Sequence, residues 1–577
     1  MSCRIRPCAP ILALCFLVPL VPAQMGRTSL GTRTWNGASI AGNSGGRGLS
    51  ADGRYLLFVT DAGNVVPNDT NGVGELFLRD LSTGSIERAT PLPGGGQPTG
   101  ATTGTMSPDA RFIVFASAGS DFVAGDTNGV GDTFVRDRQT GTIERVSIST
   151  SGAQGDASSG GASISDDGRF VVFESSATTL VSPPTTTPFS HIYVRDRQLG
   201  TTVLVDQSSL GVTANWFSHY PSMSANGRFV LFSSKATNLV LTPVPANSTQ
   251  LYLRDLVAGT TELAAVNSSG VPPAFGPDFG SLSGDGRLIC FPNGSAGFDP
   301  AWPLVGSRLF LRDRSTGITQ RVDLDSSGNA PATAGAYTGW IDPGGRYVLF
   351  SSTSNAYVPG DTNTVEDVFV RDLATGITNR VSVDSHGQQS TVPGWGCGPG
   401  GITPDGRLVW FWTSEDRFGV GDTNGANDTY LHARWQSQPN EYCSAKLNSL
   451  GCEPGMDWSG TASATSGAPF LVGAHALLNQ RVAILRYGFA PDHAPFAGGL
   501  SCIAPPFVSL GGLSTGGNPT GNDCSGVPSF DFNARIGSGL DPRLQPGAVV
   551  ETQYLYRDPG DPTGLGLTDA LQFVIEP

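Results

Sequence analysis

Lysine is nearly absent from this sequence: among 577 residues only Lys235 and Lys446 are present. Charged residues of all kinds reach just 15%, and 35 basic against 49 acidic residues leave a net charge of −14. A chain this acidic is a poor ligand for nucleic acid or for an anionic bilayer. No internal run approaches the ~18 apolar residues that span hydrocarbon as a helix. Helical periodicity is missing as well, which excludes a coiled coil. No Cys/His cluster has the spacing of a structural zinc site. Gly 77 and Pro 41 are abundant but stay below the share, roughly a quarter or more, that marks a disordered chain. The 38% of hydrophobic residues can support a real core.

Residues 1–23 read as a secretory signal: Arg4 and Arg6 precede an apolar stretch from Ile11 to Val21, and Val21-Pro22-Ala23 offers a small-residue cleavage site. The expected location is therefore outside the cytoplasm, in the periplasm, at the cell surface or in the medium, with no transmembrane segment. Oxidising conditions then govern the cysteines. Cys443, Cys452, Cys502 and Cys524 fall near the C-terminus and are expected to form two disulfides. Three connectivities are open; pairing 443 with 452 and 502 with 524 is favoured because each closes a short loop. Cys290, inside Leu288-Ile289-Cys290-Phe291, is expected as a buried free thiol.

The dominant feature is an internal repeat. An arginine opening an apolar run recurs at Arg54, Arg111, Arg169, Arg228, Arg287, Arg346 and Arg407, spaced 57 to 61 residues apart. Asp-Gly or a near substitute usually precedes it. An apolar-aromatic-apolar-Arg-Asp segment follows 25 or 26 residues later, as in Leu76-Phe77-Leu78-Arg79-Asp80 and Val368-Phe369-Val370-Arg371-Asp372. Each unit reads as four strands: a, Ser/Gly-rich; b, apolar on both faces; c, ending in Arg-Asp; and d, after a tight Thr-Gly turn. Asp-Gly between strands marks a hairpin, because its turn needs positive φ. Four-stranded units at fixed period predict a β-propeller. The seventh unit ends after Tyr430-Leu431-His432 without a strand d, whereas Arg27-Thr28-Ser29-Leu30 resembles one. The N-terminal strand is therefore expected to close a seven-bladed ring and remove exposed edges.

The Ser-x-Asp-Gly-Arg and Phe-Val-Arg-Asp pattern resembles the TolB-like, WD40-like (PD40) propeller repeat of exported bacterial proteins, over residues 24–436. The resemblance implies a binding or assembly platform holding a protein or peptide at the ring face.

The repeated Arg and Asp are expected to be scaffolding, since strand b begins where strand c ends. Unit seven replaces both together, by His432 and Ala433. Alternating strand direction places the longer b–c and d–a connections on one face, where functional residues concentrate. Four b–c loops carry Asp-Thr-Asn: Asp69 and Asn71, Asp126 and Asn128, Asp361 and Asn363, Asp422 and Asn424. A further acid follows at Glu75, Asp132, Asp367 and Asp428. These eight Asp and Asn residues are the candidate ligand or partner contacts. Asp126, Asn128 and Asp132 resemble the start of a calcium loop, although Asx-turns explain the same letters. No other cofactor is expected. Gly42-Asn43-Ser44-Gly45-Gly46 matches the letters of a nucleophile elbow but lacks the strand–turn–helix setting. His191, His219, His386, His432, His475 and His493 are scattered without metal-pair spacing. Trp395, Trp410, Trp412 and Trp340 could stack on sugars, yet Trp410 and Trp412 sit on a strand and read as core.

Residues 440–577 leave the repeat. Short alternating runs such as Val549 to Tyr556, with Gly/Pro turns and two disulfides, predict a β-sandwich. The functional expectation is an exported, monomeric, non-enzymatic scaffold that binds a protein, peptide or glycan of the cell envelope, with no nucleic acid and no catalytic residues. The alternative is a polysaccharide lyase or hydrolase at the channel mouth.

Overall fold

A computed structural model gives the fold. It describes residues 27–577 except 188, 295–297, 299–306, 332–334, 385–386, 391–395, 419–421, 423, 435–439, 444, 461, 465–467, 546–547 and 576–577. The signal segment 1–23, His386 and Trp395 lie outside the described residues.

Two compact units emerge, Met25–Trp435 and Gln436–Pro577. The first is all-β and consists, among the described residues, of seven four-stranded antiparallel sheets, the repeated meander of a β-propeller. In the first sheet the strands run Ser44–Leu49, Tyr55–Thr60, Glu75–Asp80 and Ile86–Arg88. The other sheets repeat this order, and strands a to d are named accordingly below.

Strands b and c are buried on both faces because each sheet packs between two others. Leu56, Leu57, Phe58, Leu76 and Phe77 are all fully buried. At the a–b turn the Asp52 carboxylate accepts from the Ser50 hydroxyl at 2.5 Å and from the Arg54 amide at 3.0 Å, fixing an Asx-type turn. The glycine after it has two reasons to be glycine. Gly168 has φ +72°, and a Cβ there would lie 2.2 Å from the Phe112 ring of the preceding sheet.

The two arginines of the repeat do different work. Arg54 pairs with Asp80 at 2.6 Å within its own sheet, and Arg111–Asp137, Arg169–Asp196, Arg228–Asp255, Arg287–Asp313 and Arg346–Asp372 repeat this at 2.6 to 2.9 Å. The strand c arginine turns away from its neighbouring aspartate and reaches back to the previous sheet. Arg136 donates to the Arg88 and Ala89 carbonyls at 3.0 and 2.9 Å, and Arg371 to those of Leu324 and Asp325 at 3.2 and 2.9 Å. A third tie comes from Arg138, whose guanidinium lies 4.7 Å from the Tyr55 ring centroid and 2.9 Å from Glu87.

The last sheet is completed by the first strand. Arg27–Leu30 pairs antiparallel with Asp428–Ala433, matching Thr28 to His432 and Leu30 to Tyr430. Sheet one rests on this composite: Arg79 donates to the Leu30 and Gly31 carbonyls at 3.3 and 2.5 Å, and the Thr429 hydroxyl accepts from the Gly46 amide at 2.7 Å. Ser44, the apparent nucleophile, is buried and donates to Asp428, so it is part of this seam.

The C-terminal unit holds a five-stranded sheet, a three-stranded sheet and a hairpin. The two larger sheets contribute Met456, Val472, Tyr554 and Phe573 to one core. A short helix, Phe532–Gly537, capped by Asp531, interrupts the expected run of strands. The favoured disulfide pairing is overturned: Cys443 bonds Cys502 and Cys452 bonds Cys524, across 59 and 72 residues. Short loops did not decide the pairing because sheet formation did. Strand Asn440–Tyr442 pairs with Leu565–Val574, and in the next strand of that sheet Gln553 Nε2 donates to Cys502 Sγ at 3.1 Å while its Oε1 accepts from the Cys502 amide at 3.2 Å, so the sheet brings Cys443 and Cys502 together. Cys290 is buried as a free thiol, and so is Cys397.

Candidate functional site

The Asp-Thr-Asn loops form clasps whose side chains turn inward. Between Asp126 and Asp132, where calcium was considered, lies the Arg145 guanidinium at 2.9 and 3.1 Å. Asn128 donates to Asp132 at 3.0 Å and to the Gly155 carbonyl at 3.2 Å. The same arrangement joins Asp69, Glu75 and Arg88, with Asn71 donating to the Pro98 carbonyl at 3.0 Å. It recurs with Asp361, Asp367 and Arg380, where Asn363 reaches the Ser390 carbonyl at 3.0 Å. Each asparagine thus straps a b–c loop to the linker entering the next sheet. Burial pushes Asp367 up to about 6 and also raises Asp126 and Asp361, with the facing arginines acting in the opposite sense.

The seventh clasp lacks its arginine, because Leu30 takes that place in the N-terminal strand. Asp422 accepts from the Tyr430 hydroxyl, and Asn424 donates to the Ile40 carbonyl at 2.7 Å and to Asp428 at 3.1 Å. Asp69, Asn71, Asp126, Asn128, Asp361, Asn363, Asp422 and Asn424 spend their polar groups on the protein's own chain, since a buried carboxylate requires partners.

Trp410 packs against the glycine-rich inner strands: a Cβ at Gly400 would lie 2.0 Å from its ring, and one at Gly46 2.6 Å. Trp412 covers Gly398 likewise. Trp410 therefore packs between sheets seven and one, and Trp412 packs within sheet seven. Trp340 is half-buried against Phe279, with ring centroids 5.6 Å apart.

A different aromatic group lies open. Phe189, in the b–c loop of sheet three, meets Trp216 and Phe217 in the linker entering sheet four, at centroid distances of 4.9 and 4.6 Å. Phe217 stacks on His219 at 5.8 Å, and His219 meets Tyr220 at 6.1 Å. Trp216, Phe217 and Tyr220 are 43%, 38% and 66% exposed. His219 Nδ1 lies 3.4 Å from the Glu174 carboxylate. Tyr220 has φ +54° at a bulge in the innermost strand of sheet four, a conformation costly for a non-glycine residue. The signal was present in the sequence as Trp216-Phe217-Ser218-His219-Tyr220, where unit four begins.

Beside this run, between sheets two and three, is a cavity of about 500 Å³. Thr99, Thr102, Thr103, Ser117, Ser120 and Ser159 are among the residues that line it, with no charged residue among the described lining; the Ser159 hydroxyl donates to Ser175 at 2.8 Å, that of Ser117 to the Gly100 carbonyl and that of Thr99 to Asp121 at 3.5 Å.

No known protein family and no curated protein matches this chain. Solved structures similar to it include TolB from Acinetobacter baumannii, at 15% identity and TM-score 0.32, covering 59% of this chain and 63% of that one. The β-propeller domain of the Trilobed protease from Pyrococcus furiosus is similar at 11% identity and TM-score 0.40, covering 68% and 95%. The acylaminoacyl peptidase of Pyrococcus horikoshii is similar at 13% identity and TM-score 0.40, covering 77% and 58%. The chain thus spans less than two thirds of the TolB chain's length.

Proposed function

We propose that this chain is an exported, non-enzymatic binding scaffold: a closed seven-bladed propeller of the PD40 type carrying a disulfide-bonded C-terminal β-sandwich. Its working surface is the face formed by the b–c loops and d–a linkers. One observation carries this reading. In the unit Met25–Trp435 the exposed aromatics among the described residues, Trp35, Trp216, Phe217, Tyr220, Phe275 and Tyr337, lie in the linkers or at the inner strand of sheet four. The exposed apolar residues of the c–d turns are the aliphatic Leu199 and Val257. Exposed aromatics gathered on one face mark an interaction surface.

The two disulfides fit an oxidising compartment, periplasmic or extracellular. No helix of the described residues is long and apolar enough to cross a membrane. The test compares Trp35→Glu and Phe275→Glu with Leu199→Glu in crosslinking to an envelope extract, followed by identification of the crosslinked species. A discrete species lost with the first two substitutions and kept with the third is expected. Crosslinking indifferent to the loop face, or depolymerisation of a glycan in a broad screen, would overturn the reading.

A further inference from the structure

The aromatic run and the hydroxyl-lined cavity belong to one continuous strip. Ser159, in the cavity wall, is followed in the innermost strand of sheet three by Gly160 and Gly161. The Glu174 side chain lies directly against Gly161, where a Cβ would approach its Cδ to 2.9 Å. Glu174 then contacts His219, and His219 begins the ring series through Phe217 and Trp216 to Phe189. Between the cavity and the rings the path crosses Gly160, which carries no side chain, and then the Glu174 carboxylate lying over Gly161.

We infer that this strip is the binding site of a neutral oligosaccharide, with sugar rings stacked on Trp216, Phe217 and Tyr220 and hydroxyls bonded in the Ser/Thr cavity. The inference rests on the scaffold reading and names its ligand class. A pyranose offers weakly positive C–H faces to the negative face of an aromatic ring and a rim of hydroxyls that both donate and accept. The strip supplies both kinds of partner in sequence, and Glu174 with His219 adds a bidirectional polar pair between them. The uncharged cavity wall and the chain's net charge of −14 disfavour an anionic glycan.

The inner strand of sheet four also disfavours an added peptide strand. Pro221 has no N–H to offer, and the bulge at Tyr220 breaks the regular edge that strand addition needs.

The experiment titrates the purified full-length mature protein with cellohexaose, maltohexaose and mannohexaose, reading heat and tryptophan fluorescence. Hexagalacturonate and decaproline serve as comparison ligands. At least one neutral hexasaccharide is expected to bind, with affinity falling about tenfold or more in Trp216→Ala and in Tyr220→Ala, and kept in Trp216→Tyr. Ser120→Val in the cavity is expected to weaken it as well. Unchanged melting temperatures show that the exposed variants remain folded. Absence of binding to all three saccharides, binding unchanged in both alanine variants, or preference for decaproline would overturn the assignment. If saccharides fail while the loop-face crosslink persists, the ligand class falls and the scaffold stands. If a saccharide is cleaved, the scaffold reading falls.

Discussion

His432 Nδ1 lies 2.8 Å from the Thr28 hydroxyl, which in turn donates to the Val383 carbonyl at the end of the sixth sheet. Elsewhere an arginine at the His432 position makes the link to the preceding sheet directly, as Arg371 does. The Thr28 bond is the counterpart of the one that Thr378 makes to the Leu324 carbonyl at 2.6 Å, so sheet seven keeps the threonine link and sets His432 against it where the arginine would stand.

Thr28→Val should therefore destabilise the protein beyond its loss of one hydroxyl. It leaves the Val383 carbonyl and a buried imidazole nitrogen short of a partner, an effect of about 2–3 kcal/mol. Chemical denaturation followed by intrinsic fluorescence measures it, and Thr28→Ser should recover most of the loss.

Burial holds His432 neutral, its pKa lowered to about 3, with Arg434 adding to the effect. A base whose folded pKa is depressed supports the fold fully above its unfolded value near 6.5, and that support drains away as pH falls toward 3. His432→Gln should flatten the loss of melting temperature between pH 6.5 and 4. Asp367, pushed up to about 6, acts in the opposite sense, so the readout is the difference between the two proteins.

Acid below pH 4 should act through a different set. Asp255 is held down to about 2 by hydrogen bonding to Arg228, and Asp80, Asp137, Asp196, Asp313 and Asp372 are lowered too. Carboxylates with depressed values stabilise the fold above about 4 and lose that effect as pH drops through the folded value. A steep fall in melting temperature is expected from pH 4 to 2, shallower in Asp255→Asn.

The two arginine classes should separate on substitution. Arg54 is half-exposed, so Arg54→Met should barely move the unfolding midpoint. Arg136→Met strands two carbonyls between sheets and should cost about 2–3 kcal/mol. Equal effects in urea titrations would contradict the division of labour. Calcium up to millimolar levels should leave the melting temperature unchanged, since Arg145 already faces Asp126 and Asp132.

Reduction should unfold residues 436–577 preferentially. Loops of 59 and 72 residues restrict the unfolded chain by about 4 kcal/mol each in the chain-entropy account. Limited proteolysis with and without reductant should show cleavage appearing first in that segment.

Regular features were legible because they are written seven times. The Asp-Gly turn, the apolar strand b and the pairing of Arg27–Leu30 with the final repeat follow from period and local chemistry. What repeats did not reveal was direction. Sequence adjacency suggested that Arg79 works with Asp80, whereas their side chains leave opposite faces of a strand and serve different sheets. The sequence shows the Asp-Thr-Asn loops without their counterions, because Arg88, Arg145 and Arg380 arrive from strand d across the sheet. The disulfides were misjudged for a related reason, since strand pairing brings distant cysteines together. The aromatic strip spans two repeats, so no single unit displays it.

Thr28 and His432 stand 404 positions apart, which makes the first strand of the propeller wait for the last one. At ~5–20 residues per second, a ribosome needs ~20–80 s to produce that interval. Throughout it the strand Arg27–Leu30 has nothing to zip onto and presents bare backbone amides. Translocation across a membrane in an unfolded condition would spare the nascent protein that hazard by delivering both extremities before either must commit.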